Sequence, residues 1–399
     1  MFYNWNKEYS ALKEYIADNP QIKISRNVTT IPGDVRSEFF RLFDMVRVAF
    51  LKEKCQTLID EAIPLSNNYA QAAQGVIKSL GLYEIKILNK LNWFLNDPVN
   101  GLIRSIYFSL FDLLKGEIDM NTFESKASES INISFRQLLE SAYEKWVILS
   151  LVNLLAPDRA LVVPIEDIQS KTRELEDDEK TGFFRELIPE LKEMGLLSLE
   201  PSDDPAFIIS NLIVRSTKLN RYVSMGTELT DATWMAKNVS VNREWLQIRN
   251  LGIFLSPIDN WPDLVIYVDD QPENIALVVD FGRFCRPDII VECMEQIDWY
   301  QKGGLEKVRQ NYDFFKPRLG SYVVSRFPVP EEVLKNFMSD PAASKLAIEQ
   351  KTIPEEEPKK KLLDIHILPV GYDKSQLIPI IDILSSSKEI RNLNKIVGK

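Results

Sequence analysis

Residues 260–296 read NWPDLVIYVDDQPENIALVVDFGRFCRPDIIVECMEQ. Two apolar, β-branched runs, DLVIYVDD and NIALVVDF, flank the turn residues QPE and read as strands joined by a hairpin. RPDIIVEC reads as a third strand. Pro262-Asp263 opens the first run and Asp280 closes the second. Carboxylates at the ends of adjacent strands can share a divalent cation, which prefers oxygen ligands. Gly282 stands two positions after Asp280, where a side chain would share the face of Asp280. Asp269 and Asp270 read as solvated turn residues.

Outward from this stretch the pattern alternates. MEQIDWYQKGGLEKVRQNYDFFKPRLG is helical, broken at Gly303-Gly304 and ended by Pro317, and GSYVVSRFPVP returns to strand. Trp299 and Tyr300 offer faces for base stacking, but packing of the helix is the reading preferred for them. Upstream, SFRQLLESAYEKWVILSLVNLLAPDRALVV is a helix with few polar faces, stopped by Pro157 and followed by a strand. KTGFFRELIPELKEMGLLSLEPSDDPAFIISNLIVRS reads as helix, strand, strand, similar to a small winged-helix insertion near 180–230. DATWMAKNVSVNREWLQIRNLGIFL returns to helix and then strand. Helices and strands in this order form an α/β core with a mixed sheet.

The first third is helical. Phe39, Phe40, Leu42, Phe43, Val46, Phe50 and Leu51 keep helical spacing. NYAQAAQGVIKSLGLYEIKILNKLNWFLN and NGLIRSIYFSLFDLLKGEI continue the pattern, and the polar MNTFESKASESINIS reads as a loop or short helix. The chain thus divides into a helical region over 1–130, an α/β core over 131–345, and a tail over 346–399. The tail opens with the charged linker EQKTIPEEEPKKK and adds a strand and a helix.

Composition narrows the chemistry. The chain has 399 residues, 45% hydrophobic, enough for two or three domains with real cores at about 150 residues each. Three cysteines (Cys55, Cys285, Cys293) are too few for a disulfide framework and fit a reducing cytoplasm. The first residues carry no secretory pattern, and no apolar run reaches the roughly 18 residues of a membrane span. The single histidine, His366, lies in a strand pattern. One histidine excludes an HExxH zinc helix and multi-histidine metal centres, and no nucleotide-binding glycine loop or G-x-S-x-G elbow occurs. Any chemistry falls to carboxylates, lysines, arginines or tyrosines. The net charge of −10 disfavours indiscriminate polyanion binding, so contact with DNA implies a local groove or a protein partner.

The helix AYEKWVILSLVNLL, Pro262-Asp263, the strand IALVVDFGR and the helix-strand EKVRQNYDFFKPRLGSYVV together resemble the PD-(D/E)xK nuclease superfamily. The likeness covers about residues 135–330 and is nearest the branch related to modification-dependent restriction subunits. It implies a restriction-endonuclease-like mixed-sheet core. It also implies Mg2+- or Mn2+-dependent cleavage of DNA in a restriction, defence or mobile-element setting. Asp263, Asp280 and Glu144 would then hold the metal.

The resemblance has one gap, because Gly282 stands in the lysine slot. A cation there stabilises charge building on the phosphate, and its loss typically costs about 100-fold or more in rate. Arg283 is adjacent, although strand alternation aims it at the opposite face. Lys302 or Lys307 can reach in from the helix. Alternatively IIVECMEQ is the catalytic strand with Glu292 as its acid, but there Met294 takes the lysine slot. Without a substitute cation, the chain reads as an inactive nuclease-fold adaptor within a protein complex; if Glu144, Asp263 and Asp280 scatter, it reads as a helical interaction protein with an unrelated α/β domain.

Overall fold

The structure, a computed structural model, describes residues 3–162, 191–200, 212–227, 245–247, 262–275, 279–280, 283–339 and 364–386. They fall into two compact units. One comprises 1–71 and 87–146, the other 72–86 and 147–399. The division falls inside two helices, α3 and α7, defined below.

The first unit is helical apart from a short hairpin, β1 (Lys23–Ser25) with β2 (Val28–Thr30). Its helices are α1 (Trp5–Asp18), α2 (Gly33–Lys54), α3 (Gln56–Leu80), α4 (Asn89–Asn96), α5 (Pro98–Ile103), α6 (Tyr107–Leu114) and α7 (Met120–Leu154). Asn4 caps α1 by accepting from the Lys7 N–H, and Asp97 caps α5 by accepting from Asn100. Aromatic rings build the core. Trp5 meets Phe50 and Phe123 at centroid separations of 5.5 and 5.2 Å, and Phe43 lies 4.7 Å from Phe111. Residues 120–134, expected as a loop or short helix, are instead the start of the 35-residue α7. Phe123, Ala127, Ile131 and Phe135 recur every fourth residue and are all buried. That sparse stripe holds the helix although its other faces are polar.

The second unit carries a mixed sheet of eight strands in the order β15-β14-β13-β10-β8-β7-β4-β5. Their spans are β4 Pro157–Val162, β5 Lys192–Glu193, β7 Leu212–Ser216, β8 Arg221–Thr227, β10 Leu264–Asp269, β13 Ile289–Met294, β14 Ser321–Ser325 and β15 Ile365–Pro369. β13, β14 and β15 are parallel, and the other pairs are antiparallel. Helix α8 (Gly304–Phe315) connects β13 to β14, as parallel neighbours require a crossover. Every residue of β13 and β14 is buried, the mark of strands covered on both faces. Helix α9 (Glu331–Ser339) follows β14, and a helix over 378–386, α10, follows β15. Two small sheets complete the unit. β3 (Glu84–Lys86) pairs with β6 (Leu196–Ser198), and β9 (Trp245–Gln247), β12 (Arg283–Cys285) and β11 (Val279–Asp280) form the other in the order β11-β12-β9.

Two expectations change. The runs around Asp263 and Asp280 are not hairpin partners: β10 pairs with β8 and β13, while β11 pairs with β12 in the three-stranded sheet. β13, six residues long and buried throughout, takes the edge of β10 opposite β8. Secondly, residues 212–227, expected within an insertion, form β7 and β8 of the main sheet. Ile213, Val214 and Val223 are fully buried there, on both faces of the sheet. The helix expected from Lys180 lies outside the described residues as far as 190, and Lys192–Glu193, expected within it, are instead strand β5.

Candidate functional site

Three ionisable side chains converge where β10 begins and β13 ends. The antiparallel register sets Leu264 opposite Val291, so Asp263 and Glu292 stand at the same level on neighbouring strands. Pro262, without an N–H, precedes Asp263 at the ladder's end. There the Asp263 side chain takes over from the backbone: its Oδ2 accepts the Cys293 N–H at 2.6 Å. Its Oδ1 faces Lys307 Nζ at 3.4 Å. The same ammonium lies 2.9 Å from Glu292 Oε2.

Helix α8 aims Lys307 at this point, and its start is fixed by two glycines. Gly303 adopts φ +85°, in the left-handed region that favours glycine. A Cβ on Gly304 would stand 2.6 Å from the Trp299 ring, and that ring is buried with its indole N–H donating to Ser325 Oγ. One turn beyond Lys307, Asn311 shares its face and donates to Glu292 Oε1 at 2.5 Å. Asn311 is only 3% exposed.

Glu292 is wholly buried. Its Oε2 is in ion-pair contact with Lys307 but receives no hydrogen bond. Burial, and then repulsion from Asp263, push its pKa up to about 8 against the opposing pull of Lys307 and Asn311. Burial alone would lower the Lys307 pKa, but the Asp263 and Glu292 charges outweigh it and raise it. With all three ionised, two negative charges face one positive charge in a largely dry site.

The other residues singled out in the sequence stand elsewhere. Asp280 ends β11 and Arg283 begins β12, so their backbones belong to the three-stranded sheet; their side chains lie outside the described residues, as does Gly282. Lys302 pairs with Asp298 at 2.9 Å and with Gln296 at 3.1 Å, at the surface. Glu144 belongs to the first unit, on α7, where it accepts from Lys145 at 3.0 Å. Trp299 is a core residue, and His366 stacks on Tyr322 and pairs with Asp364 at 2.8 Å. Asp270 pairs with Arg221 at 2.9 Å rather than standing free.

Glu292 was set aside in the sequence because Met294 fills the lysine slot. The structure gives the reason for Met294. Its side chain packs in a core cluster with Trp299, Val308, Val323 and Phe337, where an ammonium would be buried unpaired. The cation comes instead from the helix that covers this cluster. The signal was the spacing Lys307-x-x-x-Asn311, two polar residues on one face of a helix that follows an acid-bearing apolar strand.

Among the described residues, no three His, Cys, Asp or Glu side chains are grouped to hold a metal ion. The carboxylate pair still fits a magnesium-like ion, which commonly takes one or two protein carboxylates and completes its shell with water and substrate phosphate. The buried, hydrogen-bond-free Oε2 of Glu292 is a hard oxygen of the required kind. Among the described residues no helix is long and apolar enough to cross a membrane. Comparison with known protein families, curated proteins and solved structures found no match.

Proposed function

We propose that the second unit is a PD-(D/E)xK-type nuclease core acting on DNA by metal-dependent phosphodiester hydrolysis, with its lysine relocated from the strand to the helix. The convergence of Asp263, Glu292 and Lys307 at the ends of adjacent strands carries this reading. Asp263 and Glu292 would hold Mg2+ or Mn2+. Such an ion, when bound, would supply Lewis-acid polarisation of a phosphoryl oxygen and a water of lowered pKa. Lys307 places a positive charge beside the phosphate as negative charge develops there. Asn311 fixes the Glu292 carboxylate, and the Cys293 N–H fixes that of Asp263, so neither must reorganise during the reaction. The substrate, and a restriction, defence or mobile-element setting, are suggested by the resemblance of the motifs. Asp280, Arg283 and Lys302 are replaced in this scheme by Glu292 and Lys307.

The test is cleavage of supercoiled plasmid with Mg2+ or Mn2+. Asp263→Asn, Glu292→Gln and Lys307→Ala should each lower the rate by about 100-fold or more. Full metal-dependent activity in all three variants would overturn the assignment.

One observation favours a second reading. Lys307 lies within 3.4 Å of both carboxylates and can serve as their permanent counter-ion. On that reading the core is an inactive adaptor in a protein complex. It requires that 10 mM Mg2+ leave the thermal midpoint unchanged and that the wild-type chain cleave neither DNA nor RNA.

A further inference from the structure

The first unit carries a different kind of site. A cavity of about 360 Å3 is lined by Asp44, Arg47, Asn100, Arg104, Tyr107 and Phe108. That is within the range of small-ligand pockets. Arg47 is a fixed wall. It is buried, its guanidinium lies over Phe43 and Tyr107 at 5.1 and 5.4 Å, and it bonds the Ile103 carbonyl at 3.0 Å and the Asp44 carboxylate. The Arg47–Asp44 pair is neutral in sum.

Arg104 differs. It is exposed and makes no ion pair among the described residues. Its guanidinium carbon lies over the Trp93 ring, 3.6 Å from the centroid. The reach from α5 to α4 is possible because Gly101 sits against Phe94, where a Cβ would come 2.5 Å from the Phe94 Cα. Phe108, one helical turn beyond Arg104, is 77% exposed, and Trp93 is 43% exposed. One uncompensated cation, layered on an indole and set beside a free phenyl ring, matches a ligand with an anionic group and a flat apolar face. Unpaired bases stack on aromatic rings and on guanidinium planes, while the same guanidinium meets phosphate oxygens.

We propose that this cavity binds a nucleotide with an unpaired base, its phosphate on Arg104 and its base against Phe108. The inference does not depend on the nuclease reading, because every residue it uses belongs to the first unit. The ligand can be a free mononucleotide or one nucleotide of a single strand.

The test uses the full chain in EDTA, so that no cleavage intervenes. Binding of a fluorescein-labelled 12-mer oligothymidylate is followed by anisotropy, with dTMP, inorganic phosphate and a 12-base-pair duplex as competitors. Arg104→Ala and Phe108→Ala should each weaken binding about ten-fold or more, and Arg104→Lys should weaken it less than Arg104→Ala. The surface variant Lys335→Ala should bind as the wild type does. Competition by dTMP at equal nucleotide concentration supports a free nucleotide, and competition by unlabelled oligomer alone supports a strand. The proposal is overturned if Arg104→Ala and Phe108→Ala bind normally. It is equally overturned if the duplex competes as well as the single strand, or if inorganic phosphate competes as well as dTMP.

Discussion

Each unit buries a charged side chain, and the two do so in opposite ways. In the first unit Arg47 has a carbonyl, a carboxylate and two aromatic faces around it, so its charge is matched even though its Nε is buried without a hydrogen bond. In the second unit Glu292 is buried beside another carboxylate, with one lysine between them and one oxygen lacking a hydrogen bond. Arg47 is balanced and serves the fold. Glu292 is left one positive charge short, and a site in that state favours whatever brings another cation. Buried charge alone is therefore a poor guide to function; the imbalance around it is the informative quantity.

Several measurements can break or sharpen this contrast. The largest effect is expected from Lys307→Met, which leaves two facing carboxylates without a counter-ion. Urea denaturation without metal should show a loss of about 3 kcal/mol at pH 8.5. The loss should shrink at pH 5, where Glu292 holds a proton. An unchanged midpoint at both pH values would remove the electrostatic imbalance from the account.

The wild-type protein should show the same imbalance as a pH dependence. The folded pKa of Glu292 lies above its unfolded value, so the folded state binds the extra proton between about pH 4.5 and 8. Its contribution to stability is complete below that window and is lost as pH rises through about 8. In Glu292→Gln this component of the slope should vanish, and the metal-free variant should be more stable than the wild type at pH 8.5. A variant less stable than the wild type at that pH would contradict the reading. Divalent metal should act in the opposite direction on the wild type, raising its thermal midpoint more at pH 8 than at pH 6.

A smaller change is expected in the first unit. Arg47→Met should cost about 2 kcal/mol, since it leaves the Ile103 carbonyl unpaired, and the cost should be flat from pH 5 to 8.5. A steep pH dependence there would erase the distinction between the two units. Smallest of all, Lys335→Ala removes an exposed pair with Glu331 and should shift stability by less than about 0.5 kcal/mol.

Much of the architecture was legible because apolar spacing is local. The helices of the first unit follow from residues such as Phe39, Phe43, Val46 and Phe50, and the α/β alternation follows from runs such as IIVEC and SYVV. Strand pairing was not legible. Nothing near Asp280 says that its strand pairs with Arg283–Cys285 rather than with Leu264–Asp269, because pairing is decided by which strands bury both faces. Asp263 was identified because Pro-Asp at a strand start is a local pattern. The Glu292–Lys307 partnership escaped because it is fifteen residues apart and joins a strand to a helix. Each half lacked its complement when read alone: the strand has Met294 where a lysine was sought, and the helix lysine was offered to Asp280 rather than to Glu292.

The glycine pair ahead of α8 has a consequence for how this chain tolerates substitution. With the ammonium beside Glu292 supplied by helix α8, position 294 serves packing, and other apolar residues of similar size can occupy it. The constraint passes to positions with no chemistry of their own. Gly304 sits against Trp299, and any side chain there would displace the first turn that aims Lys307 and Asn311. The residue least free to vary in this arrangement is therefore one that carries no functional group at all.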